Sequence, residues 1–236
     1  SEKEDVRRKL EEDREKHERD LRRIEEELRR TIEESERRLK EVKKRLKELI
    51  DDVRRRDSDD RTLLEKIIRD VEKLVRELVE DNRRAIEKVK RLLEEIVKTH
   101  RDNIENVRRL LEEKGVPEEV REELRRIVEE SERVVRRIEE ELEKIVKDSE
   151  DAVREIEEDL ERVLEKAKRL AEKLKDKEEL KKAVETILEE LVRIADKLID
   201  IHREILEKLL RVAEKLLEVS RRALDKLKKL IDKTDK

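Results

Sequence analysis

Leu, Ile and Val recur at spacings of three and four along almost the whole chain. That is the period of a helix with one apolar face, because side chains three and four apart stack along a turn. The chain opens with Ser1-Glu-Lys-Glu4, which has capping-box spacing. Periodicity then runs to Val53 and stops at Asp57-Ser58-Asp59-Asp60, where Ser58 suits an N-cap and two acids suit the following first turn. Lys114-Gly115-Val116-Pro117 supplies a second stop, with Gly as a left-handed terminus and Pro as an opening residue. Asp176-Lys-Glu-Glu179 supplies a third.

These signals predict helices over about 2–56, 59–113, 117–175 and 177–233. Each is then roughly 80 Å long at 1.5 Å per residue. Connections this short force antiparallel neighbours. The expected fold is all-α, a straight antiparallel up-down-up-down four-helix bundle. It is expected to form one domain over 1–236, with hairpins 1–114 and 117–236 as its subunits.

The apolar stripes are interrupted. On a wheel at 100° per residue, the polar residues facing inward are His17 and Ser35, Asn82 and His100, Ser131 and Ser149, and His202 and Ser220, one pair per helix. Each pair is 18 residues apart. Eighteen residues make five turns at 3.6 per turn, so both members point the same way from a straight helix, without the seven-residue repeat of a supercoil. Counting outward from the turns at 57–58 and 176–177 sorts the eight into two layers, each with one residue from every helix. The layer near those turns holds Ser35, Asn82, Ser149 and His202, joined by Thr31. The far layer holds His17, His100, Ser131 and Ser220, joined by Asn103. A spacing of 18 residues puts the layers ~27 Å apart. Linked hydroxyls, amides and imidazoles can satisfy one another in a dry core, and any other register would strand them against Leu and Ile at ~1–3 kcal/mol each. The polar positions therefore read as marks that fix helix register.

Composition narrows the class. Charged residues make up 58% of the chain, yet 67 basic residues stand against 71 acidic ones, a net charge of -4. Interspersed charge of this kind offers no basic field for nucleic acid and no polybasic face for a membrane. No apolar run approaches the ~18 residues of a membrane span, and no signal peptide opens the chain. Nothing in the sequence encodes a localisation, and soluble recombinant expression in a host cytoplasm is expected. Cys, Met, Phe, Tyr, Trp and Gln are all absent, and Gly and Pro occur once each. Without aromatics there is no base-stacking platform and no aromatic pocket wall for a small molecule. What remains is a palette of strong helix formers and aliphatic core residues.

That palette, the capped turns, the regular helices and the polar core layers together resemble the de novo designed helical bundles with buried hydrogen-bond networks. The family includes designed helical-hairpin heterodimers and caged-switch scaffolds. The resemblance covers the whole chain in style, and no motif singles out one member. It implies a scaffold or interaction protein without an evolved activity. No embedded binding peptide of the switch members is recognisable.

Rival chemistries find weaker footing. His17 and His100 share a layer and could converge on a metal, but sites generally need three or four ligands and carboxylates that orient them. His202 belongs to the other layer, Glu15 and Glu18 flank His17 at outward angles, and no His-x-x-x-His or Glu-x-x-His pair faces inward. Ser131 or Ser220 beside a histidine would still lack an orienting acid and an oxyanion hole. The expectation is no enzyme, no cofactor and no metal. A pH response is a further expectation, because burial should lower the histidine pKa values and acid should then weaken the fold.

The helices are unequal. The first carries 12 apolar residues and none over 11–20, whereas the fourth carries 26 counting Ala. On the fourth, Ile187, Ile194, Ile201, Val212 and Val219 lie to one side of its polar pair. Three explanations stay open: a more central fourth helix in a monomer, an exposed seam for another copy or chain, or a first helix that peels away as a switch element.

Overall fold

The computed structural model describes residues 2–55 and 61–234, with side chains over 4–55 and 61–233. Among the described residues there are four helices and no strand: α1 (Glu2–Arg55), α2 (Arg61–Leu111), α3 (Glu118–Lys173) and α4 (Lys177–Thr234). They form a four-helix bundle. Ser1, expected as a cap, and the turn expected at 57–60 lie outside the described residues.

The α2–α3 turn follows from its sequence. The amides of Glu112 and Glu113 bond to carbonyls three residues back, at 3.2 Å each, so the helix tightens and ends at Leu111, slightly before the expected 113. Gly115 then takes φ 89°, a conformation that would crowd any Cβ. The Pro117 carbonyl accepts the Arg121 amide at 3.0 Å to open α3, and the Arg121 guanidinium donates to the Glu113 carbonyl at 3.1 Å. At the start of α4, Asp176 accepts the Glu178 amide on its side chain at 3.4 Å and the Leu180 amide on its carbonyl at 3.0 Å. Asp176 is thus the N-cap that its spacing suggested.

The chain divides into two compact units. One comprises Ser1–Thr31, Lys88–Ile145 and Glu207–Lys236, the other Ile32–Glu87 and Val146–Leu206. The division cuts across all four helices and not between the hairpins 1–114 and 117–236. Its cause is that a buried side chain meets partners from all four helices. In the second unit one apolar cluster takes Leu46 from α1, Val75 from α2, Ile156 from α3 and Leu191 from α4. In the first, a cluster takes Leu10, Val107, Leu124 and Leu227 in the same way.

Within the first unit the surface ion pairs step in opposite directions on neighbouring helices. Lys215 meets Glu141, Lys226 meets Glu130 and Lys233 meets Glu123 between α4 and α3. Arg101 meets Glu139 and Arg108 meets Glu132 between α2 and α3, and Arg221 meets Glu25 between α4 and α1. This is antiparallel pairing of neighbours. In the second unit Arg76–Glu161, Lys166–Glu190 and Lys43–Asp196 join the same three neighbour pairs, and Arg38–Asp81 joins α1 to α2. Exposed pairs of this kind contribute ~0–1 kcal/mol each, so burial carries the stability.

The apolar surplus of α4 is covered. Ile187 and Ile194 belong to the buried cluster of the second unit, and Ile201 packs against it. Val212 is fully buried and Val219 partly so. No large hydrophobic residue is exposed among the described residues, and Ile201 and Val219 of the five are half-buried. A helix whose apolar arc exceeds what one neighbour needs can pack against several. Among the described residues, no helix is long and apolar enough to cross a membrane.

Candidate functional site

Among the described residues ten polar side chains are buried: His17, Thr31, Ser35, Asn82, His100, Asn103, Ser131, Ser149, His202 and Ser220. These are the ten inward polar positions of the sequence reading. Their bonding differs between the units.

In the second unit His202 of α4 links three helices. Its Nδ1 bonds to the Asn82 Oδ1 of α2, and its Nε2 lies 2.5 Å from the Ser35 Oγ of α1. An amide oxygen only accepts, so Nδ1 carries the proton and donates. The neutral ring then accepts at Nε2, and the Ser35 hydroxyl donates to it. Burial holds His202 down to about 4, which keeps it in that neutral form at pH 7. The Asn82 Nδ2 is buried and has no partner.

Ser149 stands apart from this chain. Its hydroxyl donates to the Val146 carbonyl of its own helix at 2.6 Å. Thr31 likewise donates to the Glu27 carbonyl at 2.8 Å, and it falls in the first unit instead of joining Ser35 and Asn82. Short hydroxyl side chains on a helix find the carbonyl three or four residues back more readily than a partner on another helix. The expected network of four helices plus Thr31 is thus a three-residue chain from α1, α2 and α4.

In the first unit the rings of His17 and His100 pack with centroids 5.9 Å apart and planes tilted by 36°. All four of their ring nitrogens are buried without a hydrogen-bond partner, as are the Asn103 Nδ2 and the Ser220 Oγ. Asn103 therefore does not complete the bonding of this layer. Burial holds His17 at about 4, and burial together with the neighbouring His17 does the same to His100. Ser131 is buried in the same unit.

The structure adds two residues that the sequence reading passed over. The Asn106 Nδ2 donates to the Asp13 Oδ1 at 2.8 Å between α2 and α1. The Asp13 Oδ2 is buried without a partner. Burial raises the Asp13 carboxyl above its ordinary value, against the lowering effects of Asn106 and Lys16. One signal pointed to it: Asp13 stands four residues before His17, hence beside it on the same helix face.

Among the described residues no three His, Asp or Glu side chains are gathered as a metal cage. The arrangement orients helices through buried donors and acceptors, and in the first unit it leaves several of them unused. No protein-family model matches the chain, and no curated protein matches it either.

Proposed function

We propose that this chain is a structural scaffold of the de novo designed type, an assembly of helices whose task is to hold one packing. On this reading it has no evolved catalytic activity, and its buried polar residues exist to make that packing preferable to others. The observation that carries the proposal is the chain Ser35–His202–Asn82, which ties α1, α4 and α2 together in a unit whose other buried side chains, Ser149 apart, are aliphatic. Sliding any of the three helices by a turn would strand a donor and an acceptor, at ~1–3 kcal/mol for each group. That no large apolar side chain is exposed among the described residues supports a monomer.

The test compares two variants. Asn82→Leu alone leaves the His202 N–H unpaired and should destabilise the fold by ~1–3 kcal/mol. The triple change Ser35→Ala, Asn82→Leu and His202→Leu should be near neutral or stabilising, but should give several packings. Native mass spectrometry and amide NMR would then show mixed masses or multiplied signals. A triple variant with one mass and one set of signals would refute the register role.

A second reading is a switching component in which α1 yields its place to another chain. It is favoured by the lack of any apolar residue over 11–20 of α1.

A further inference from the structure

The balanced charge of the chain hides a local pattern on two helices. Arg38 of α1 meets Asp81 of α2, and Lys43 of α1 meets Asp196 of α4. Between those two flanks Arg37, Lys40, Lys44 and Lys47 form an exposed stripe. Spacings of three, four and three keep them on one helix face, about 15 Å from end to end. None of the four has an ion-pair partner among the described residues. Glu33 and Asp51, both exposed, close the stripe four residues beyond either end.

On α3 the same spacing carries the opposite sign. Asp148, Asp151, Glu155 and Glu158 are exposed on one face, and Arg162 follows four residues later. In the sequence Lys144 stands four residues before Asp148. The α1 order of acid, four bases and acid is thus inverted on α3 to base, four acids and base. Either order reads the same from both ends, so the faces match with their helices parallel or antiparallel. Asp151 pairs with Arg154 of its own helix at 3.7 Å, while Asp148, Glu155 and Glu158 have no ion-pair partner among the described residues. The two stripes cannot meet within one chain. Ion pairs of the second unit join α1 to α2, α2 to α3, α3 to α4 and α4 to α1, which sets α1 and α3 at opposite corners.

We infer that the outer face of α1 in the second unit docks the outer α3 face of a second copy of this chain. The contact is heterologous, and each added copy leaves one stripe of each sign free. Association therefore grows as an open row and does not close at two copies. A long polyanion fits the α1 stripe less well, since Glu33 and Asp51 repel it at both ends. Exposed charges act over about 10 Å at 0.1 M salt and about 30 Å at 0.01 M. Exposed ion pairs are weak when screened, so the chain is a monomer at ordinary ionic strength and associates as salt is withdrawn. This docking stands apart from the register role of Ser35, His202 and Asn82, whose replacement leaves both stripes in place.

Sedimentation equilibrium of the full chain at hundreds of micromolar, in roughly 0.01 M and roughly 0.15 M salt, tests it. At low salt the average mass should rise with concentration to about twice 28.8 kDa or more, and at the higher salt it should return to that value. Reversing the α1 stripe (Arg37→Glu, Lys40→Glu, Lys44→Glu, Lys47→Glu) should hold the chain monomeric at low salt. Reversing the α3 stripe (Asp148→Lys, Asp151→Lys, Glu155→Lys, Glu158→Lys) should do the same. Reversing both restores the net charge of -4 and should restore association. Circular dichroism checks that each variant stays helical. A parent chain that stays monomeric at low salt would overturn the inference, as would association that survives reversal of one stripe or fails to return when both are reversed. Binding of added polyphosphate without self-association would give the α1 stripe another occupant and overturn it too.

Discussion

A histidine with no exposure and a bond at each ring nitrogen has little freedom in where it keeps its proton. His202 is in that position, donating to Asn82 and accepting from Ser35. Protonation would remove the acceptor that Ser35 uses and put a charge among aliphatic side chains. Its folded pKa, about 4, lies below the ordinary 6.5. As pH falls through 6.5 the unfolded chain binds a proton that the folded chain refuses until about pH 4. The contribution is therefore fully present above pH 6.5, declines toward pH 4 and is level below it. Between pH 7.5 and 4.5 the parent chain should lose about 2–3 kcal/mol more than His202→Leu. Urea midpoints measure this, and equal losses in the two proteins would contradict it. At this scale the inward polar positions were legible because 18 residues close five helical turns. Which bonds they form was not, because Ser149 and Thr31 satisfy themselves on their own helices. Asp13 was hidden for another reason: a carboxylate at the edge of a stripe has the same sequence appearance as a solvated one.

Helices of this length need caps and a stripe, and both were readable. Gly115 and Asp176 end and begin helices through the geometry their residue types favour. The role of the wide stripe on α4 was not readable, since one sequence cannot say how many neighbours a helix touches. In the first unit α4 buries Leu209, Val212, Ala213, Leu216 and Ser220 almost completely. Over residues 11–20 of α1, by contrast, the one fully enclosed side chain is His17, whose nitrogens are unpartnered. Local opening should start where buried apolar contacts are fewest. Amide hydrogen exchange is predicted to be faster over 11–20 of α1 than over 207–220 of α4. Equal protection would remove the support for a yielding first helix.

For the molecule as a whole, charge and burial point the same way. The described surface holds many ion pairs and no large exposed hydrophobic side chain. A second copy would find little apolar area to cover, and exposed ion pairs add little once salt screens them. Light scattering at tens of micromolar should give the monomer mass of 28.8 kDa, unchanged by added salt. A dimer mass would require an apolar surface outside the described residues or a different packing.

The central claim is that the polar chain Ser35–His202–Asn82 inside this bundle is bonded in fixed positions and closed to solvent. Imidazole ¹⁵N NMR of His202 across a pH titration tests it most directly. The predicted result is a neutral ring protonated at Nδ1 that resists titration until about pH 4. A ring protonated at Nε2, or one titrating near 6.5, would contradict the claim.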